Sequence, residues 1–233
     1  MSTPSSTATA RPTAKRAAAT AIKRDPAKTR ANILKAATAE FAAKGYSGAR
    51  TEKIAQRAKS NVRMIYHYFG GKEALYLCVL EEVLSQLRAQ ELQLNLGDVA
   101  PLQGVLLMFD FINRHFERHP ELRNLLAYEN LNKAACLKRS RQIPQMASPV
   151  LQQLEQLLRR GEAEGCFRAG IDAMQLYVAM VGAIYYGKSH AYTLSRIFQR
   201  DMLTADWQAS YRQQTHQMLV GFLTSTTPVP SVA

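Results

Sequence analysis

Asn61-Val62-Arg63-Met64-Ile65-Tyr66-His67-Tyr68-Phe69 is the stretch on which the reading of this chain turns. Asn61 is a favoured helix N-cap, because its side-chain carbonyl can accept from an amide of the first turn. Ile65 and Phe69 stand four apart, share one face of a helix, and are predicted to face a core. Arg63, Met64 and His67 then point away from that core, with Asn61 and Val62 at the helix start. A short helix of this kind suits insertion into a DNA major groove. Arg63 can offer a bidentate fork to guanine, Asn61 can pair with adenine, and Met64 can meet a thymine methyl.

Upstream, Asp25-Pro26 supplies an N-cap followed by proline at the first helical position. Ile33, Leu34, Ala37 and Phe41 form one apolar stripe, and Lys44-Gly45 is expected to close that helix. A short helix from about Thr51 carries Ile54, Ala55 and Ala58 inward, and a break near Lys59-Ser60 leads to the quoted stretch. Two short helices joined by a tight turn read as a helix-turn-helix. Gly70-Gly71 ends the second, and Lys72 starts a long helix with Leu75, Val79, Leu80, Val83, Leu84 and Leu87 on one side. Tyr66, Tyr68 and Lys72 have polar tips on stems long enough to reach phosphate, and Arg50 beside Thr51 adds a secondary backbone contact.

Charge supports this reading. The formal net charge is +12; up to Gly70 there are fourteen Lys/Arg against three Asp/Glu, and thereafter sixteen against fifteen. A basic front end on a nearly neutral body says that one module meets a polyanion and another does something else. Residues 1–25 read as a disordered basic arm adding nonspecific, salt-sensitive affinity. Residues 26–72 read as the DNA-binding domain, 73–225 as a helical ligand-binding and dimerisation domain, and the Pro/Ser/Thr-rich 226–233 as a flexible tail.

The body reads as helix throughout, so the fold class is all-α. Pro101 opens a helix with Leu102, Val105, Phe109, Ile112 and Phe116, and Pro120 opens one with Leu122, Leu125, Leu126 and Leu131. Residues 143–164 form a third, Asp172 caps a strongly apolar fourth through at least Tyr186, and Trp207, Tyr211, Met218, Leu219 and Phe222 mark the last. Polar and aromatic groups punctuate these helices. Arg123, Tyr128, Glu129, Asn132, Tyr177, Tyr185 and His190 are the candidates to orient a small, partly aromatic or anionic effector between apolar walls.

Gly45-Tyr46, Ile54-Ala55, Ala58, Ile65-Tyr66-His67-Tyr68-Phe69 and Lys72-Glu73-Ala74-Leu75, taken together, resemble the DNA-binding domain of the TetR family of bacterial transcriptional regulators over about Ala27 to Leu87. The resemblance implies an all-α homodimer that binds an operator through its first three helices and a small molecule through a larger C-terminal domain. It matches Tyr66, Tyr68 and Lys72 to backbone-contacting positions, and Asn61 to His67 to the reading helix. It also implies a four-helix interface from the last two helices of each subunit. Small residues at Ala179, Gly182, Ala183 and Gly187 suit that close approach, and a core helix within one subunit is the alternative. Three positions depart from the family pattern. Lys59 and Arg63 stand where glycine is common, and Ser60 replaces a small aliphatic. The turn at Lys59 is therefore expected to carry strain or a different geometry.

The function expected is a sequence-specific regulator, a repressor released from a palindromic operator by an effector; the alternative is an architectural DNA-binding protein without one. An enzyme is not expected, since no nucleophile elbow, phosphate loop or metal-ligand cluster occurs, and neither a cofactor nor a metal is expected. Cys78, Cys136 and Cys166 are scattered, no run of eighteen apolar residues occurs, and a cytoplasmic location is expected.

Overall fold

Asp25 starts the first helix as its sequence requires: the carboxylate accepts from the amides of Ala27 (2.9 Å) and Lys28 (3.4 Å), with Pro26 next. The computed structural model describes residues 25–225, so the expected arm up to residue 24 and the tail 226–233 lie outside the described residues. Ten α-helices follow one another: α1 Pro26–Gly48, α2 Thr51–Arg57, α3 Val62–Phe69, α4 Lys72–Leu92, α5 Pro101–Arg118, α6 Pro120–Leu131, α7 Gln142–Ala163, α8 Ala173–Ser189, α9 Ala191–Ile197 and α10 Ala205–Thr224. A single 3-10 turn, Leu137–Arg139, leads into α7, and no strand occurs among the described residues.

Regular winding of α1 ends at Gly45, whose φ of +65° takes the chain into one last turn. The Tyr128 ring of α6 lies 2.8 Å from where a Cβ would stand, so both backbone and space demand glycine here. Ile33, Ala37 and Phe41 of α1, Ile54 of α2, Ile65 of α3, and Leu75, Tyr76 and Val79 of α4 form one buried cluster. Each large apolar group in it is worth about 1.5–3 kcal/mol. Helix α4 is shared: its first half packs on α1 and α3, and it also packs on α5 and α7. At its far end Glu91, fully buried, pairs with Arg88 at 2.6 Å and accepts from the Tyr177 hydroxyl of α8 at 2.8 Å.

In the body α5 packs on α7 and α8, and α6 packs on α1. Arg160 of α7 closes the α4–α5 connection by donating to the carbonyls of Leu96, Gly97 and Val99 at 3.2, 2.8 and 2.7 Å. Asp172 caps α8 by accepting from the Gln175 amide at 2.7 Å.

The structure corrects the sequence reading in two places. Leu131, expected on an inward stripe, is 79% exposed because α6 ends at that residue. Helix α9 is absent from the sequence reading, because Ala191–Ile197 has no amphipathic repeat and its Tyr192 and Ile197 are exposed. The helices expected to dimerise are consequently α8 and α10, with α9 between them in sequence.

Lys59, between α2 and α3, has a φ of +50°. A side chain there costs about 1 kcal/mol against the following carbonyl, which glycine avoids. Lys59→Gly is expected to raise stability by about 0.5–1 kcal/mol in urea or thermal unfolding; an unchanged or lowered midpoint would remove strain from this turn.

Candidate DNA interface

Helix α3 is short, so its orientation depends on its ends and its anchors. Asn61 caps it, with Oδ1 accepting from the Met64 amide at 3.1 Å. Gly70, left-handed at φ +80°, closes it by donating its amide to the Tyr66 carbonyl at 2.9 Å. Ile65 and Phe69 are buried, 0% and 8% exposed, and turn the opposite face outward. Arg63, Tyr66 and His67 are exposed on that face. The helix therefore offers a guanidinium, a phenol and an imidazole together in a basic setting.

Other predicted contacts are placed differently. Val62 and Met64 are half-buried against the core, because they flank the anchor rather than oppose it. Asn61 is exposed, but its carbonyl oxygen is committed to the cap, and a two-bond contact with adenine would undo that cap. Tyr68 is half-buried, edge-on to the His67 ring with centroids 5.0 Å apart. Arg50 is exposed beside half-buried Thr51 at the start of α2. Lys72 opens α4 with its ammonium 4.8 Å from the centroid of the Tyr46 ring.

Supporting residues that sequence reading missed hold this face in place. The Arg30 guanidinium of α1 lies 4.9 Å from the Phe69 ring centroid, a cation–π contact across the back of α3. Arg57 of α2 pairs with the buried Glu40 of α1 at 3.4 Å. These partners are far apart in sequence, and no local pattern marks them. Tyr46 belongs to the motif that carries the family resemblance, but nothing in that motif marks its ring as the seat of Lys72.

The seven effector candidates do not share one pocket. Tyr128 lies under Gly45 and donates to the Ala43 carbonyl at 3.5 Å; Asn132 donates to the Tyr128 carbonyl at 2.7 Å. Glu129 is buried and accepts from the amides of Cys136 and Leu137 at 3.2 and 3.0 Å. Tyr185 donates to the Arg123 carbonyl at 3.3 Å, elsewhere in the body. Tyr177 is bound to Glu91 and Arg88, and burial followed by the Glu91 charge raises its pKa. Exposed His190 stacks on Tyr186 with centroids 4.4 Å apart. Helical rise explains the dispersal, since Tyr177 and His190 are about 20 Å apart along α8. An apolar cleft of about 410 Å³ instead lies between α8 and α10, lined by Leu176, Ala179, Met180, Met218 and Phe222 with Arg168 at one end.

A capped, core-anchored reading helix behind a positioning helix defines a helix-turn-helix DNA-binding regulator. Residues 33–79 match the family described as "Bacterial regulatory proteins, tetR family", and residues 101–219 match "Tetracyclin repressor-like, C-terminal domain". The chain belongs to the TetR family of bacterial transcriptional regulators. It is 35% identical over 184 residues to the HTH-type transcriptional repressor NicS of Pseudomonas putida, covering 77% of this chain and 87% of that one. A second relative is the HTH-type transcriptional repressor SCO4008 of Streptomyces coelicolor, 38% identical over 108 residues, 46% of this chain and 53% of the relative. The fold is also that of the fatty acid degradation regulator FadR from Bacillus halodurans (TM-score 0.63, 20% identity, 85% of this chain and 97% of that one). The regulator SCO4942 from Streptomyces coelicolor shares it as well (TM-score 0.61, 23% identity, 82% and 97%).

Arg63→Ala is expected to reduce preference for the best site over random DNA by about 1–3 kcal/mol. An equal loss on both, measured by fluorescence anisotropy, would make Arg63 a phosphate contact. Lys72→Ala is expected to weaken all duplexes alike and to flatten the salt dependence by about one unit; an unchanged slope would take Lys72 off the DNA backbone.

Proposed function

We propose that this chain is a homodimeric repressor that occupies a palindromic operator and is released from it by a small molecule. The observation that carries the reading is the outward face of α3, where Arg63, Tyr66 and His67 are exposed while Ile65 and Phe69 hold the helix from behind. Base reading falls to Arg63 and His67, with Asn61, Val62 and Met64 at the groove's edge. Arg50, Thr51, Tyr66, Tyr68 and Lys72 serve the backbone. The relatives named as repressors support the sign of regulation. Residues 26–72 act as the DNA-binding unit and 73–225 as the effector and dimer unit. Action in the cytoplasm, without catalysis or a cofactor, completes the proposal; no described helix is long and apolar enough to cross a membrane.

Dimerisation through α8 and α10 rests on side chains left in water. Met174, Val178 and Tyr186 recur along one face of α8, and Met218 and Phe222 lie on α10, each between 43% and 66% exposed. Covering these groups with a second copy removes them from solvent, and two-fold symmetry then sets two α3 helices against successive major grooves, about 34–36 Å apart. Effector binding would shift the population toward a pairing that breaks this spacing.

Selection from random duplexes is expected to return an inverted repeat with half-site centres about 10 base pairs apart. Release of that footprint by one compound supports the repressor, whereas a footprint of no defined sequence points to an architectural protein. Val178→Asp is expected to give monomers in sedimentation with helicity intact, and to weaken operator binding by more than about tenfold. A dimer that survives this change would move the interface elsewhere.

A further inference from the structure

A cavity of about 150 Å³ lies where α1, α4 and α6 meet, walled by Tyr46, Glu73, Tyr76, Glu129, Cys136 and Arg139. It includes none of the outward residues of α3 and shares no lining residue with the cleft between α8 and α10. Tyr76 is 1% exposed, and its buried hydroxyl has no partner in hydrogen-bond geometry. Glu129 is 3% exposed and forms no ion pair among the described residues, although two amides of the next segment donate to one of its oxygens. At the rim Glu73 is neutralised by Arg139.

The sign of the field inside follows from these charges. Burial and then the neighbouring Glu129 carboxylate raise the Tyr76 pKa. Burial, then Glu129 and Glu73, push the Cys136 thiol up to about 11, with Arg139 opposing them. Burial disfavours charge of either sign here, the Glu129 carboxylate tips the balance against a second negative group, and phenol rings wall the space on two sides. Aromatic faces together with an unpaired carboxylate select cations. At about 30 Å³ per water, the space suits an ammonium group carrying a few carbons.

We propose that this cavity binds a small organic ammonium ion, whose N–H groups donate to Glu129 and to the Tyr76 hydroxyl while its carbons lie against Tyr46 and Tyr76. Tyr46 also seats Lys72, 4.8 Å from its ring centroid, and neighbouring Gly45 packs on Tyr128. An ammonium ion in the cavity therefore competes for the same ring and shifts Lys72 and the start of α4, changing affinity for DNA. This regulatory consequence rests on the repressor reading; occupancy of the cavity does not.

The test uses the full chain and propylammonium chloride as probe, with sodium chloride and sodium propionate at equal ionic strength as controls. Propylammonium at about ten times its Kd is expected to raise Tm by about 3–6 °C, saturably, with no comparable effect of either control. Tyr76→Phe keeps the ring and removes the orphan hydroxyl. It is expected to leave the ligand-free Tm unchanged or higher and to weaken propylammonium binding about tenfold. Glu129→Gln is expected to abolish the response; should it misfold, Tyr76→Phe alone decides. A wild-type response no larger than that to sodium chloride, or an undiminished response in Tyr76→Phe, overturns the site. Propylammonium is further expected to alter operator affinity in the wild type and less so in Tyr76→Phe. Binding without that change overturns the coupling to DNA. Absence of any operator binding overturns the repressor reading and leaves the thermal result to decide the cavity.

Discussion

Two side chains fix the surface that matters most. Ile65 and Phe69 seat α3 on α2 and α4, and every outward group of that helix takes its direction from them. A helix this short has little stability of its own, and its persistence comes from tertiary packing and its caps. Asn61 and Gly70 close the two ends, and Arg30 covers the Phe69 ring from behind. Losing the anchor would leave Arg63 and His67 on a chain with no defined pose, and a bidentate contact with a base edge tolerates little rotation.

The same cluster ties recognition to the rest of the molecule. Tyr76 and Leu75 of α4 belong to the core behind α3, while Glu91 and Arg88 at the far end of α4 are bound to Tyr177 of α8. A second link runs through α6, where Tyr128 fills the space that Gly45 leaves open. These two connections bracket the junction between the DNA-binding helices and the body. A displacement of either α6 or α8 therefore has a packed route to the core behind α3.

Much of this was legible because capping and anchoring are local. Asp25, Asp172 and Asn61 each cap a helix where the sequence places them, and the four-residue spacing of Ile65 and Phe69 gave the inner face of α3. Lys59, at the turn where the family resemblance implies glycine, adopts the left-handed conformation. What stayed hidden depends on partners distant in the chain. Asn61 could be read as a cap or as a base contact, and only the fold shows its carbonyl engaged. The polar groups of the body looked like ligand contacts because nothing local reveals that Tyr177 meets Glu91 or that Tyr185 meets Arg123. Met64 reads as pointing away and Val62 as lying at the helix start, yet Val62 stands three before Ile65 and seven before Phe69 and Met64 stands beside Ile65, so the core half-buries both. Helix α9 carries exposed Tyr192 and Ile197, with exposed Phe198 just after it, and lacks the periodic stripe by which the other helices announce themselves.

The central claim is that α3 enters a major groove with its outer face while its inner face stays on the core. Photocrosslinking from a reactive side chain placed at position 63, on duplexes carrying the selected operator, tests it most directly. The account expects crosslinks to base atoms exposed in the major groove, at symmetric positions in both half-sites, and none from a reactive group at buried position 65. Crosslinks confined to sugar and phosphate, or equal reaction from both positions, would contradict it.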